Sequence, residues 1–128
     1  MKKEERMSNF SRNDCLNALK ASEYSFLIVD YLSKNTTKPI SHNDLAAFLH
    51  IKKNNLSNVM DRLGIYDIAY GLKSGNKKYY FLTSKGFELV DFLEEEAIIY
   101  EQYYSLSQRI LSQNILKELN EKKQVQIL

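Results

Sequence analysis

Apolar residues change their rhythm twice along this chain. Tyr24, Leu27, Ile28, Tyr31 and Leu32 recur at three- and four-residue spacing, the mark of one buried helix face. Ser22 stands before them as an N-cap residue, so a helix is predicted over Glu23–Lys34. A shorter helix is predicted ahead of it, over Asn13–Lys20, with Cys15, Leu16 and Leu19 on one side. The stretch "KNTTKP" ends the second helix, and Pro39, the only proline, fixes the break. Ser41 and Asp44 then resemble a capping box and open a short helix, His42–Leu49. That helix offers Leu45, Ala46, Phe48 and Leu49 to a core. Ile51, alone between polar stretches, suits the plug of a tight turn. Leu56, Val59, Met60 and Leu63 form the next stripe, on a helix predicted over Lys53–Leu63 with Gly64 at its C′ position.

Strand-forming residues follow. Ile68-Ala69-Tyr70 and Tyr79-Tyr80-Phe81-Leu82 flank "GLKSGNKK", with Gly75-Asn76 at the turn centre, and together predict a β-hairpin. Helical spacing returns from Thr83 to about Glu121, as one long helix or two in succession. Here there are two apolar stripes. Val90, Leu93, Ala97, Tyr100, Tyr104 and Leu111 form one; Ile99, Tyr103, Leu106 and Ile110 form the other. A helix with two apolar stripes packs on its own domain and on something else.

Composition narrows the class. With 128 residues, 44% hydrophobic and 27% charged, one soluble globular domain with its own core is expected. No apolar run approaches the ~18 residues of a membrane span. The start "MKKEERMSNF" has no apolar stretch behind it that would mark a secretory leader. Cys15 is the only cysteine, so no internal disulfide can form, and a cytoplasmic protein is expected. His42 and His50 are eight residues apart and make no metal site by themselves. There is no glycine-rich phosphate loop, no His-Glu-x-x-His and no Gly-x-Ser-x-Gly. Neither an enzyme nor a cofactor is expected.

Charge is unevenly spread. Residues 1–82 hold 13 Lys and Arg against 8 Asp and Glu, a net +5, while residues 83–128 hold 5 against 8, a net −3. Two short helices joined by a tight turn, Ser41 to Leu63, have the layout of a helix-turn-helix, whose second helix fits the major groove of DNA. Outside its apolar stripe that helix presents Lys53, Asn54, Asn55, Ser57, Asn58, Asp61 and Arg62, with Lys52 in the turn. Asn can bond adenine through two hydrogen bonds, Arg can bond guanine, and Lys can neutralise phosphate. An ordinary solvated face is the plainer alternative. Three Asn in one helix weaken it, however, by up to ~0.7 kcal/mol each. A hairpin directly after a helix-turn-helix makes a winged helix. Its tip, Lys73, Ser74, Gly75, Asn76, Lys77 and Lys78, is then placed to touch the DNA backbone.

The stretches "PISHNDLAAFLHIKKNNLSNVMDRL" and "YYFLTSKGFELVDFL" resemble the winged-helix transcription regulators of the MarR type. Leu45-Ala46, Ile51, Leu56 and Leu63 match the first part of that pattern; Leu82-Thr83, Lys85-Gly86 and Leu89 match the second. The likeness covers roughly residues 22–95. The wing is short and lacks the acidic-and-arginine run common in the family, and PadR-like, archaeal-type and plasmid or phage regulators share the same plan. The resemblance implies an α+β, mostly helical fold: a winged helix-turn-helix with a two-stranded wing and a long C-terminal dimerisation helix. The first dozen residues are polar and charged and are expected to form a flexible basic arm at 1–12, followed by a DNA-binding domain at 13–86 and a C-terminal helical dimerisation segment at 87–128. The resemblance also implies a homodimer, acting as a sequence-specific regulator of transcription and most simply as a repressor, on double-stranded DNA. The residues expected at the dimer interface are Ile99, Tyr100, Tyr103, Tyr104, Leu106, Ile110 and Leu111. Two alternatives for the tyrosines are packing inside one chain and lining a pocket for a small-molecule effector. For the whole chain, the alternatives are a protein-binding winged helix and a plasmid or phage replication or partition protein.

Overall fold

A computed structural model describes residues 12–127. The arm expected over 1–12 lies outside them except for Arg12, where the first helix begins. The order is α1 (Arg12–Lys20), α2 (Ser25–Lys34), β1 (Ile40–Ser41), α3 (His42–Leu49), α4 (Lys53–Ile65), β2 (Ala69–Ser74), β3 (Lys77–Leu82), α5 (Ser84–Glu95) and α6 (Ala97–Ile127). One core joins them: Ile28 of α2, Leu45 and Leu49 of α3, Leu56 and Leu63 of α4, Ile68 just ahead of β2 and Leu89 of α5 are all fully buried. Leu19 of α1 reaches it too, while the Cys15 side chain lies outside the described residues.

Several boundaries differ from the expected ones, each for a local reason. Helix α2 starts at Ser25 rather than Glu23, because Ser22 closes a turn ahead of it. Its Oγ accepts from the Tyr24 N–H at 3.0 Å and its carbonyl from the Ser25 N–H. Ser41 does cap α3, accepting from the Asp44 N–H at 3.1 Å. Helix α4 runs through Gly64 to Ile65, so Gly64 is not its C′ residue. That role falls to Asp67, at φ +58. The Asp67 N–H bonds the Gly64 carbonyl and the Ile68 N–H bonds the Leu63 carbonyl, which is the Schellman pattern. His50, at φ +55, ends α3 in the same way, with Ile51 bonded back to Ala46.

The wing is a two-stranded hairpin as expected, and a further short strand joins it in an antiparallel sheet of order β1-β3-β2. The added strand is the two-residue lead into α3, pairing Ile40 with Tyr80 and Ser41 with Tyr79. Two residues are too short a run for periodicity to register. The hairpin turns at Gly75-Asn76 as expected, with Gly75 at φ +63. The chain then divides into two helices. Thr83 caps α5 by accepting from the Gly86 N–H, and Glu96, at φ −99 and ψ 70, separates α5 from α6. Gly86 is required by close approach, since a Cβ there would lie 2.3 Å from the Ile68 carbonyl oxygen. Leu89, Val90, Phe92 and Leu93 of α5 belong to the common core.

Candidate nucleic-acid interface

Helix α4 buries Leu56, Val59, Met60 and Leu63 and turns the rest of its surface outward. Lys52, Lys53, Asn54, Asn55, Ser57, Asn58, Asp61 and Arg62 are all exposed. They are not equally free. Ser57 Oγ donates to the Lys53 carbonyl at 3.2 Å, and Asn54 Oδ1 accepts from the Asn55 N–H at 3.0 Å. Arg62 donates to the Ala21 carbonyl at 2.8 Å, fastening α4 to the link between α1 and α2. That leaves the side chains of Lys52, Lys53, Asn55 and Asn58 without a partner among the described residues.

The wing tip lies beside this helix-turn-helix. Lys73, Ser74, Asn76, Lys77 and Lys78 are exposed. The register sets Lys73 opposite Lys78. Like charges opposite one another on a sheet are destabilising, and a polyanion laid along the tip would relieve them. Lys78 folds its ammonium over the Tyr80 ring, 5.6 Å from the centroid. A cleft runs between this tip and the start of α3, lined by Ser41, His42, Asn43, Asn76, Lys77 and Lys78.

His42 joins the two parts. Its Nε2 lies 2.9 Å from the Lys53 carbonyl oxygen and its Nδ1 2.7 Å from the Tyr80 hydroxyl. A carbonyl only accepts, so Nε2 carries the proton, and in the neutral ring Nδ1 accepts from Tyr80. The wing, the first turn of α3 and the first residue of α4 are thereby tied by one imidazole. Burial pushes the Tyr80 hydroxyl above the ordinary tyrosine value, with the Asp61 carboxylate adding to the effect. Sequence periodicity gave no sign of His42, because it faces neither the core stripe nor the outer face of α4.

The terminal helix does not treat its expected interface residues alike. Ile99, Tyr100, Tyr103 and Leu111 pack on their own chain's core. Phe26 meets Tyr100 edge to face at 5.3 Å and stacks on Tyr103 at 5.8 Å. The Tyr100 hydroxyl donates to Asp30 at 2.8 Å and accepts from Lys34 at 2.9 Å. The bonds to Tyr100 and then to Asp30 raise the Lys34 pKa above the ordinary lysine value, and burial raises that of Tyr100. Ile110 is half-buried, and Tyr104 and Leu106 are exposed. Apolar side chains outside the expected set are at least as exposed: Ile98 is 77% exposed and Leu116 60%, while Leu119 and Ile115 match Leu106 and Tyr104. The three-and-four spacing of "NILKELN" was the signal for the last three. A small apolar recess, lined in part by Leu19, Phe26, Tyr103 and Leu106, separates α6 from α1 and α2.

Further along, α6 touches the helix-turn-helix itself. The Asn114 amide donates to the Leu49 carbonyl and to the Tyr24 hydroxyl, both at 3.1 Å. Glu118 lies 3.0 Å from His50 Nδ1, at the turn between α3 and α4. Among the described residues no group of three His, Cys, Asp or Glu could hold a metal, and no helix is long and apolar enough to cross a membrane.

This arrangement of helix-turn-helix, wing and long terminal helix is a winged-helix fold. Solved structures share it over nearly the whole chain. MepR of Staphylococcus aureus, a regulator of the multidrug efflux pump MepA, is 18% identical, with 98% of each chain covered and a TM-score of 0.53. The transcription regulator MarR of Oenococcus oeni is 24% identical, over 92% of this chain and 95% of that one, with a TM-score of 0.55. AdcR of Streptococcus pyogenes, an adhesin competence repressor, is 18% identical over 98% and 95%, with a TM-score of 0.51. A further structure holds MepR with DNA, at 20% identity over 91% and 95% and a TM-score of 0.55. At these identities the likeness establishes the fold. No protein-family model and no curated protein sequence matches the chain.

Proposed function

We propose that the chain is a sequence-specific double-stranded DNA-binding regulator of transcription, a repressor working as a homodimer in the cytoplasm. One observation supports this above the others. From Lys53 to Arg62 the outer face of α4 presents unpaired Asn55 and Asn58 without any large apolar residue, exposed Ile65 coming only at the helix's last position, and the wing tip beside it carries Lys73, Lys77 and Lys78. Such a face suits base edges in a major groove, and such a tip suits the phosphates alongside. The neighbour solved with DNA and the neighbour described as a repressor share this fold. Apolar Ile98, Ile115, Leu116 and Leu119 on α6 suit a second copy of the chain.

Selection of bound duplexes from a random pool, followed by sequencing, tests the proposal. The expected product is an inverted repeat whose half-sites lie one helical turn apart, ~10 bp. A pool that remains random, with binding lost at moderate salt, would remove sequence-specific recognition from the account.

A further inference from the structure

The wing has a second feature besides its lysine-bearing tip. Strand β2 forms the edge of the sheet, paired with β3 on one side only. No backbone hydrogen bond from any other described segment reaches Ala69–Ser74. Every second residue of such a strand aims its N–H and C=O away from the sheet, a ready template for another strand. The register also sorts the side chains. Tyr70 pairs with Phe81 and Leu72 with Tyr79 on the outward face, and Tyr70 and Leu72 are 46% and 56% exposed. The Tyr70 and Phe81 rings lie 5.6 Å apart and extend this apolar surface. On the other face of the strand stand Gly71 and Lys73, opposite Tyr80 and Lys78. Gly71 has no side chain, and its space is filled by Lys78, which lies over Tyr80.

We infer that the free edge of β2 is a docking site for an extended segment of a partner protein with alternating apolar and acidic residues. An added strand places alternate side chains on opposite faces. Those on the outward face meet Tyr70 and Leu72 and need to be apolar. Those on the other face meet Lys73 and Lys78 and need to be acidic. The hairpin from Ile68 to Leu82 contains three lysines and no Asp or Glu. Pairing two copies through this edge would bring like charges together, so a second copy of the chain is the wrong occupant. The site does not require α4 to bind DNA, but it shares Lys73 and Lys78 with the phosphate contacts proposed for the wing tip.

A capped eight-residue peptide alternating valine with glutamate is the probe. Its twin, methylated on every second backbone nitrogen along the docking edge, keeps the charge but cannot donate to the ladder. With isotope-labelled full-length protein, the first peptide shifts the amides of Ala69–Ser74 saturably. The methylated twin binds at least roughly tenfold more weakly, as expected when its ladder donors are lost. The variants Leu72→Ser and Lys73→Glu each weaken the first peptide. Equal binding of the two peptides would overturn the inference, as would shifts that avoid β2. So would self-association of the wild-type protein that Leu72→Ser abolishes, since a second copy would then occupy the edge.

Discussion

Asp67 and Gly86 make contrary demands on their backbones. Asp67 holds φ +58 at the end of α4, where an L side chain is disfavoured and glycine is not. Its carbonyl accepts from Thr83 Oγ1 at 2.6 Å. Asp67→Gly is expected to stabilise the fold by up to about 1 kcal/mol, read as a higher urea midpoint at unchanged slope. Gly86→Ala should do the reverse, because its Cβ would press on the Ile68 carbonyl. A loss of about 1–3 kcal/mol is expected for such overpacking. At the proposed DNA face, Asn55→Ala or Asn58→Ala should relax base preference at one position by about 1–3 kcal/mol. Lys77→Ala should instead weaken every duplex alike and lower the salt slope by roughly one. If titrations over a salt series left Lys77→Ala indistinguishable from wild type, the wing would not contact the backbone.

Elements, in contrast, stand or fall by how they are joined. The hydrogen bonds of His42 to Lys53 and Tyr80 fix the wing against the start of α4. A double-mutant cycle of His42→Gln with Lys77→Ala, read by duplex affinity, should therefore depart from additivity by about 1 kcal/mol. Additive effects would mean that the wing finds its place without the imidazole. The elements themselves were largely legible in the sequence. Helix α3 begins and ends where Ser41, Asp44 and the stripe Leu45-Ala46-Leu49 put it, and the hairpin turns at Gly75-Asn76. Stripes and caps are local, so a single sequence displays them. What escaped was non-local or atypical. Strand β1 exists only because β3 pairs with it, Asp67 takes a place usually held by glycine, and one Arg62 nitrogen bonds a carbonyl across the fold. The tyrosines of α6 show the same limit. Their spacing marked apolar faces, but not that Phe26 and Asp30 would claim Tyr100.

For the molecule as a whole, alkaline pH and self-association test different layers. Tyr24, Tyr80 and Tyr100 are all raised above the ordinary tyrosine value of 10.0, chiefly by burial, and Lys34 is raised above the ordinary lysine value of 10.5 by its bonds to Tyr100 and Asp30. The folded state then binds these protons more tightly than the unfolded chain does. Their contribution is complete below pH 10.0 and is lost as pH rises through the folded-state values. Urea midpoints should accordingly hold steady from neutral pH and fall once pH passes 10.0; a midpoint rising there would contradict this arrangement. Leu116→Glu, on an exposed position of α6, should leave the monomer's fold intact and shift sedimentation toward monomer in the proposed assembly.

Asn114 and Glu118 secure α6 to the turn before α4, at Leu49 and His50. The helix proposed to join two copies is thus the same rod that grips each reading head. Such a linkage behaves as a caliper with its jaws pinned, not as two heads on a tether. A caliper measures length as well as text. Inserting a single base pair between the half-sites, with both half-sites intact, rotates one by about a tenth of a turn and moves it ~3.4 Å along the duplex. A pinned caliper should reject that operator, and loosening the pin with Asn114→Ala should restore part of the tolerance.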